Sequence, residues 1–113
     1  MPTPSELAQA QLDAYNNRDI DAFMACYSDD CVVRAFPSGE VLMRGHEAMR
    51  ARYSELFASC PELHAKLVAR MVRGRVVIDE EDVTGHSAGE RVHAIAMYAI
   101  RDDKIAEVHF ARD

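Results

Sequence analysis

Two stretches of this chain carry charged side chains at a spacing that can build an acid–base site. His64, Lys66, Val68 and Arg70 alternate with Ala65, Leu67 and Ala69, and Val77, Asp79, Glu81 and Val83 alternate with Ile78, Glu80 and Asp82. In an extended chain, side chains two apart share a face. If Arg73-Gly74 between the stretches is a two-residue turn, both sets lie on one face of a hairpin, with Lys66 opposite Glu81 and Arg70 diagonal to Asp79. Opposite charges across strands favour that register by ~0.2–1 kcal/mol per pair. A bulge at Gly74 would shift it by one residue and part the sets. A carboxylate beside Arg or Lys stays ionised, whereas burial alone raises its pKa. Histidine beside such a carboxylate can exchange a proton near neutral pH. His64 with Asp79 or Glu81 is therefore the candidate acid–base pair, and Arg70 the group that orients a substrate oxygen or anion. The competing placement leaves the charged set in water and turns Leu63, Ala65, Leu67, Ala69 and Met71 to the core.

These residues need a scaffold, and the order of segments predicts one. Thr3-Pro4-Ser5-Glu6 is a helix start with a capping box. Leu7, Gln11, Leu12, Ala14 and Tyr15 follow at helical spacing, and Asn16-Asn17 ends the helix, since Asn tolerates the left-handed conformation. Asp19 caps a short second helix with Ile20, Phe23, Met24 and Tyr27 inward. Ser28-Asp29-Asp30 reads as a turn, Cys31–Phe36 and Val41–Met43 as a hairpin, and Gly45 to Pro61 as a third helix carrying Met49, Tyr53, Leu56 and Phe57 on one face. From Leu63 the period changes toward two. Leu63–Val72, Arg75–Thr84, Arg91–Arg101 and Lys104–Arg112 are strand-length runs joined by short connections, as in an antiparallel meander. Three helices followed by such a run predict an α+β fold, with the helices packed on one face of a curved, mostly antiparallel sheet. Val92–Ile100 is apolar on both sides, so both sides are expected to be covered. The helices cover one; a second copy of the chain is the expected cover of the other.

Composition narrows the function classes. The 113 residues are expected to form one domain, residues 1–113. The net charge is −6 and Arg44, Arg50 and Arg52 are interrupted by Glu47 and Glu55. They read as a solvated helix face, so a nucleic-acid partner is not expected. No apolar run approaches a membrane span and Met1–Glu6 is no secretion signal, so no membrane partner and a cytoplasmic location are expected. Cys26, Cys31 and Cys60 are an odd set without a Cys-x-x-Cys pair, which suits buried, reduced thiols. His64, Asp79, Glu81, His86 and His93 could supply metal ligands, but no His-x-x-x-His spacing exists, and neither a metal nor another cofactor is expected. His46 and His86 are expected in a helix start and a loop, and His93 and His109 on the outer sheet face.

Leu12-Asp13-Ala14-Tyr15-Asn16-Asn17-Arg18-Asp19-Ile20-Asp21-Ala22-Phe23 and Cys26-Tyr27-Ser28-Asp29-Asp30-Cys31-Val32-Val33 resemble the opening of the NTF2-like superfamily, nearest its SnoaL-like and steroid delta-isomerase-like branch. Arg44-Gly45-His46-Glu47-Ala48-Met49 resembles the start of that family's third helix, and Tyr98–His109 its final hairpin. The resemblance implies a cone-shaped pocket closed by the helices and a homodimer packed through the outer sheet face. It also implies a pocket-facing phase of Val77, Asp79 and Glu81, then Ala94, Ala96 and Tyr98, then Val108 and Phe110. Leu67, Met71, Ile78, Ile95 and Met97 would make the outer face.

The superfamily holds isomerases, cyclases, dehydratases, hydrolases and non-catalytic binders, so activity must come from the site. Ketosteroid isomerase chemistry needs a carboxylate base, a donor Tyr and a protonated carboxylic acid. The resemblance places Gln11, Ala35 and Ala96 at those positions, and none can fill the role. The pure protein is therefore expected not to turn over a 3-oxosteroid, which a steady-state assay checks. With the polar set in the pocket, two readings stand. One is a cofactor-free acid–base enzyme of the isomerase, cyclase or dehydratase class, acting on a small, mostly apolar metabolite. The other is a non-catalytic ligand-binding or dimerisation module. In both, Tyr15, Tyr53, Phe57, Tyr98, Val108 and Phe110 would form the ligand-binding wall.

Overall fold

In a computed structural model that describes residues 2–112, helix α1 runs Pro4–Asn16 behind the expected capping box. Thr3 Oγ1 accepts from the Glu6 backbone N–H at 3.1 Å, and Glu6 Oε1 accepts from the Thr3 N–H at 2.8 Å. The buried stripe is Leu7, Ala8, Gln11, Leu12 and Ala14. The left-handed residue that turns the chain is Arg18 (φ 53°), not an asparagine. Its guanidinium donates to the Leu63 carbonyl at 2.8 Å and the Asn16 carbonyl at 3.1 Å, which holds a conformation that Arg rarely adopts. Asp19 then caps α2 (Ile20–Met24) by accepting from Ala22 N–H.

Strands β1 (Tyr27–Ala35) and β2 (Val41–Arg44) precede α3 (His46–Ser59), and β3 (His64–Arg73), β4 (Val76–Thr84), β5 (Val92–Arg101) and β6 (Lys104–Arg112) follow. The Ser28-Asp29-Asp30 segment, expected as a turn, belongs to β1. The sheet order is β2-β1-β6-β5-β4-β3. All pairs are antiparallel except β1 with β6, which the intervening helix and meander allow to run parallel. The helices cover one face. Between them and the sheet lie Phe23, Met24, Met49, Val33 and Ile105, each at most 1% exposed. Burying one such side chain is worth about 1.5–3 kcal/mol. Cys26, Cys31 and Cys60 are free and buried. Burial first, and Asp30 and Glu107 after it, push the Cys31 thiol up to about 12, so it packs as a neutral apolar group.

β3 is a sheet edge, and Asn16 covers part of it. Its side-chain amide donates to the Ala65 carbonyl at 3.0 Å and accepts from the Ala65 N–H at 2.7 Å, in place of a neighbouring strand.

The feature that decides the site is a bulge in β3. The hairpin turn is Gly74-Arg75, with Arg73 paired to Val76 and Arg70 directly opposite Asp79 rather than diagonal to it. Ala69 pairs with Glu80, but Leu67 pairs with Glu81, so Val68 is the extra residue. One inserted residue exchanges the two faces of a strand. Arg70 therefore points inward with Asp79 and Glu81, and so do Leu67 and Ala65 beyond the bulge. His64, Lys66 and Val68 turn to solvent. The physical cause is legible in the residues: Ala65 and Leu67 gain by burial, Arg70 by meeting Asp79, and strict alternation cannot turn 67 and 70 to one side.

On the outer face, Met71 (65% exposed), Val76 (41%) and Ile95 (43%) stand open beside half-buried Ile78 and Met97. Leu67, expected among them, faces the core. The two outer-face histidines make local contacts, His93 with Asp82 and His109 with Glu107 at 2.7 Å.

Candidate functional site

β4 is the backbone of the site. Its alternation turns Val77, Asp79, Glu81 and Val83 toward the helices, all buried. Asp79 is completely enclosed. Arg70 meets it with two parallel hydrogen bonds, Nε to Oδ1 at 2.7 Å and Nη2 to Oδ2 at 2.9 Å. Its third donor, Nη1, reaches Gln9 Oε1 on α1 at 3.0 Å, tying the edge hairpin to the helix. Hydrogen bonding to Asp79 raises the Arg70 pKa further, so the guanidinium stays charged.

Glu81 sits one inward position further along β4, 7% exposed, and lines a cavity of about 310 Å³ between the helices and the sheet. Among the described residues it has no hydrogen-bonded or ion-paired partner. Burial first, and the Asp79 charge second, push its carboxyl up to about 7; Arg70 offsets part of this. The carboxyl therefore both accepts and donates a proton near neutral pH.

Opposite it, α1 supplies Gln11 as a relay between two phenols. Gln11 Nε2 donates to the Ala8 carbonyl at 3.0 Å, which sets the amide orientation, and to Tyr98 Oη at 3.1 Å. Tyr27 Oη donates to Gln11 Oε1 at 3.0 Å. Tyr98 thus accepts from Gln11, and its own O–H proton is left for another acceptor. Burial first, then the charges of Glu81 and Asp79, hold the Tyr98 phenol well above its ordinary pKa, so it stays neutral and remains a donor. Tyr15 and Tyr53 are raised mainly by burial too. Their rings pack against Phe23 and Phe57, tilted with centroids 4.6 Å apart for Phe23–Tyr53 and edge-to-face at 5.5 Å for Tyr15–Phe57.

The geometry sorts the expected residues. Asp79, Glu81 and Arg70 come together on the inner face, though only Glu81 of the three lines the cavity. Tyr15, Tyr53, Tyr98 and Phe110 line it as expected. Four placements need correction. His64 is exposed on the far side of the sheet, so it forms no pair with Asp79 or Glu81, and Lys66 goes with it. Phe57 and Val108 lie behind the wall, packed in the core.

Gln11, which the resemblance places at the donor-tyrosine position, lines the cavity, and other lining residues escaped the sequence reading: Tyr27, and on the exposed side Arg52, His86 and Arg112. Two signals pointed to the arginines. Arg112 continues the inward phase of Val108 and Phe110, and Arg52 falls three residues after Met49 and four before Leu56 on α3. His86 had no local signal. Its position follows from Gly85 (φ 87°), where a Cβ would lie 2.0 Å from the Glu62 carbonyl oxygen, so only glycine lets the β4–β5 loop leave there. Among the described residues, no three His, Cys, Asp or Glu side chains converge to ligate a metal ion.

The cavity thus offers a proton-exchanging carboxyl, a neutral phenolic donor and aromatic walls. Comparisons agree on its setting. A solved cystatin-fold protein from Novosphingobium aromaticivorans is 29% identical, with 97% of this chain and 98% of that one covered and a TM-score of 0.88. An NTF2-like protein from Cytophaga hutchinsonii is 16% identical, covering 100% and 92%, with a TM-score of 0.83. A SnoaL-like protein from Burkholderia thailandensis is 19% identical, covering 97% and 93%, at 0.81. No curated protein matches the sequence. The profile of the SnoaL-like domain matches residues 8–108, which contain the Gln11 relay, both inward carboxylates and the cavity lining apart from Phe110 and Arg112. Helices closing a curved six-stranded sheet over a pocket, read together with that match, make this chain a member of the SnoaL-like family with the NTF2-like fold.

Proposed function

We propose that this protein is a cofactor-free acid–base catalyst, of the isomerase, cyclase or dehydratase class, for a small and mostly apolar carbonyl compound. The observation that carries this reading is Glu81, a buried carboxyl without a protein partner that faces the cavity and titrates near neutral pH. The ionised Glu81 removes a proton from the carbon next to the substrate carbonyl, and the electron pair moves onto the carbonyl oxygen. The Tyr98 O–H, held by Gln11, donates to that oxygen as its charge grows. Returning the same proton to another carbon completes an isomerisation and leaves Glu81 ionised again. Asp79 and Arg70 act as positioning residues. They hold β3 to β4 and set the charge that Glu81 feels. This pairing of Glu81 with Tyr98 replaces the expected role of His64.

The test is proton exchange. In deuterated buffer, the protein is incubated with a panel of small alkyl and aryl ketones and deuterium beside the carbonyl is followed by NMR. Exchange above the buffer rate is expected for part of the panel, and Glu81→Gln is expected to lower it by at least ~100-fold. No catalysed exchange, or exchange that survives in Glu81→Gln, overturns the reading. Saturable binding without exchange would instead favour the ligand-binding module.

We also propose a homodimer through the outer sheet face, supported by the open side chains of Met71, Val76 and Ile95 beside half-buried Ile78 and Met97. Sedimentation is expected to give twice the mass of one chain, and Ile95→Glu to give one chain. A wild-type monomer at micromolar concentration would refute it. The three unpaired, buried cysteines support a reducing, cytoplasmic setting.

A further inference from the structure

The mouth of the cavity differs in charge from the rest of the molecule. The chain carries a net charge of −6, yet the charged side chains at the mouth are Arg52 on α3 and Arg112 at the end of β6, with His86 of the β4–β5 loop beside them. Among the described residues, the one acidic side chain that lines the cavity is Glu81, which is buried. Among the described residues, the ion pairs of the molecule use Arg34, Arg50, Arg70, Arg101 and several histidines, but none uses Arg52, His86 or Arg112. Glu55, one turn beyond Arg52 on α3, is exposed and unpaired with it.

The two arginines and His86 come from three separate elements. All three line the cavity, and both arginines stand on its solvent-exposed side. Arg112 lies close enough to Tyr15, and Arg52 to Tyr53, for each to lower the cost of ionising that phenol. Below the arginines the lining is apolar and aromatic: Met43, Leu56, Val92 and Phe110. Positive charge at the rim, an apolar barrel below it and a polar floor make a receptor for an elongated molecule with an anionic head. Unpaired cations focused on a low-dielectric cleft raise the local concentration of anions and repel cations.

We propose that the ligand of this pocket is a hydrophobic carboxylate, whose anionic end is held at the mouth by Arg52 and Arg112 with His86 beside them, and whose apolar body enters toward Tyr98. The proposal deepens the acid–base reading: the substrate becomes an apolar carbonyl compound that also carries a carboxylate, with the reacting carbon near Glu81 and the head group at the rim. Recognition of the head group does not need Glu81.

The experiment compares three probes of one shape: 5-phenylpentanoate, 5-phenylpentanol and 5-phenylpentyl-trimethylammonium. Binding is measured calorimetrically at about pH 6, where an alkyl carboxylate is ionised. The carboxylate is expected to bind about tenfold more tightly than the alcohol, and the ammonium more weakly than either. In the double variant Arg52→Gln/Arg112→Gln, both sites exposed and tolerant of change, the preference should fall to about twofold or less. In the wild type it should shrink as salt rises, because rim charges are screened within ~10 Å at 0.1 M ionic strength. The variant Glu81→Gln should keep the preference in full. An alcohol that binds as tightly as the carboxylate, a preference that survives the double variant, tightest binding of the ammonium, or no binding of any probe overturns the proposal. Failure of the exchange experiment with a retained carboxylate preference would remove the catalytic reading and leave this one standing.

Discussion

Glu81→Gln is expected to be more stable than the wild type by about 3 kcal/mol at pH 8 and no more stable at pH 4. The buried carboxyl titrates near 7 in the folded protein against an ordinary value of 4.5. Between those values the folded state holds a proton that the unfolded chain has released. Stability attributable to Glu81 is complete below about pH 4.5 and is lost as pH rises through 7. Each pKa unit is worth about 1.36 kcal/mol, so a separation of this size gives the figure above. The amide has nearly the same shape and never ionises, so it escapes the penalty. Urea unfolding of both proteins across this pH range measures the difference directly. Equal pH dependence of the two proteins would show that Glu81 is not the buried acid described here. If the gain appears together with loss of proton exchange, the site is one where stability has been given up for chemistry.

Arg70→Met is expected to lose about 3–5 kcal/mol at pH 7, because it leaves a fully buried carboxylate without its counterion. The cost comes from Asp79 more than from Arg70. The Arg70 side chain keeps 15% of its exposure and a second partner in Gln9, whereas Asp79 keeps no exposure and, among the described residues, no second side-chain partner. Asp79→Leu is therefore expected to cost less than Arg70→Met. The double variant Arg70→Met/Asp79→Leu, which fills the space with apolar atoms, should recover to within ~1–2 kcal/mol of the wild type, since a buried ion pair contributes little over a well-packed apolar pair. Denaturation of the three variants completes the cycle. A loss below ~1 kcal/mol for Arg70→Met would mean that Asp79 reaches water or another partner.

Both predictions concern β4, and β4 was the part of the site most open to reading from the chain. Its inward phase, Val77, Asp79 and Glu81, is the one the family resemblance implied, and all three are buried. β3 was read less well for a definable reason. Two placements competed, charged set inward or Leu63, Ala65 and Leu67 inward, and each holds for one half of the strand. The bulge at Val68 joins them. Glycine makes a bulge easy at Gly74, but Val68 carries no such local mark. What produces it is a partner on each side, the helices above Leu67 and Asp79 across from Arg70.

The amino-acid sequence alone determined what depends on near neighbours. The Thr3–Glu6 capping box, the Asp19 cap, the helix order, the β6 limits at Lys104 and Arg112, and the departure from ketosteroid isomerase residues all rest on interactions within a few positions or on residue identity. Tertiary structure decided which charges meet. It separated His64 and Lys66 from the carboxylates, left Glu81 alone at the cavity, joined Gln11 to two phenols, and brought Arg52, His86 and Arg112 to one opening. The physical reason is that a single residue inserted in a strand reverses every later side chain, while pKa values and pocket walls depend on groups far apart in the chain.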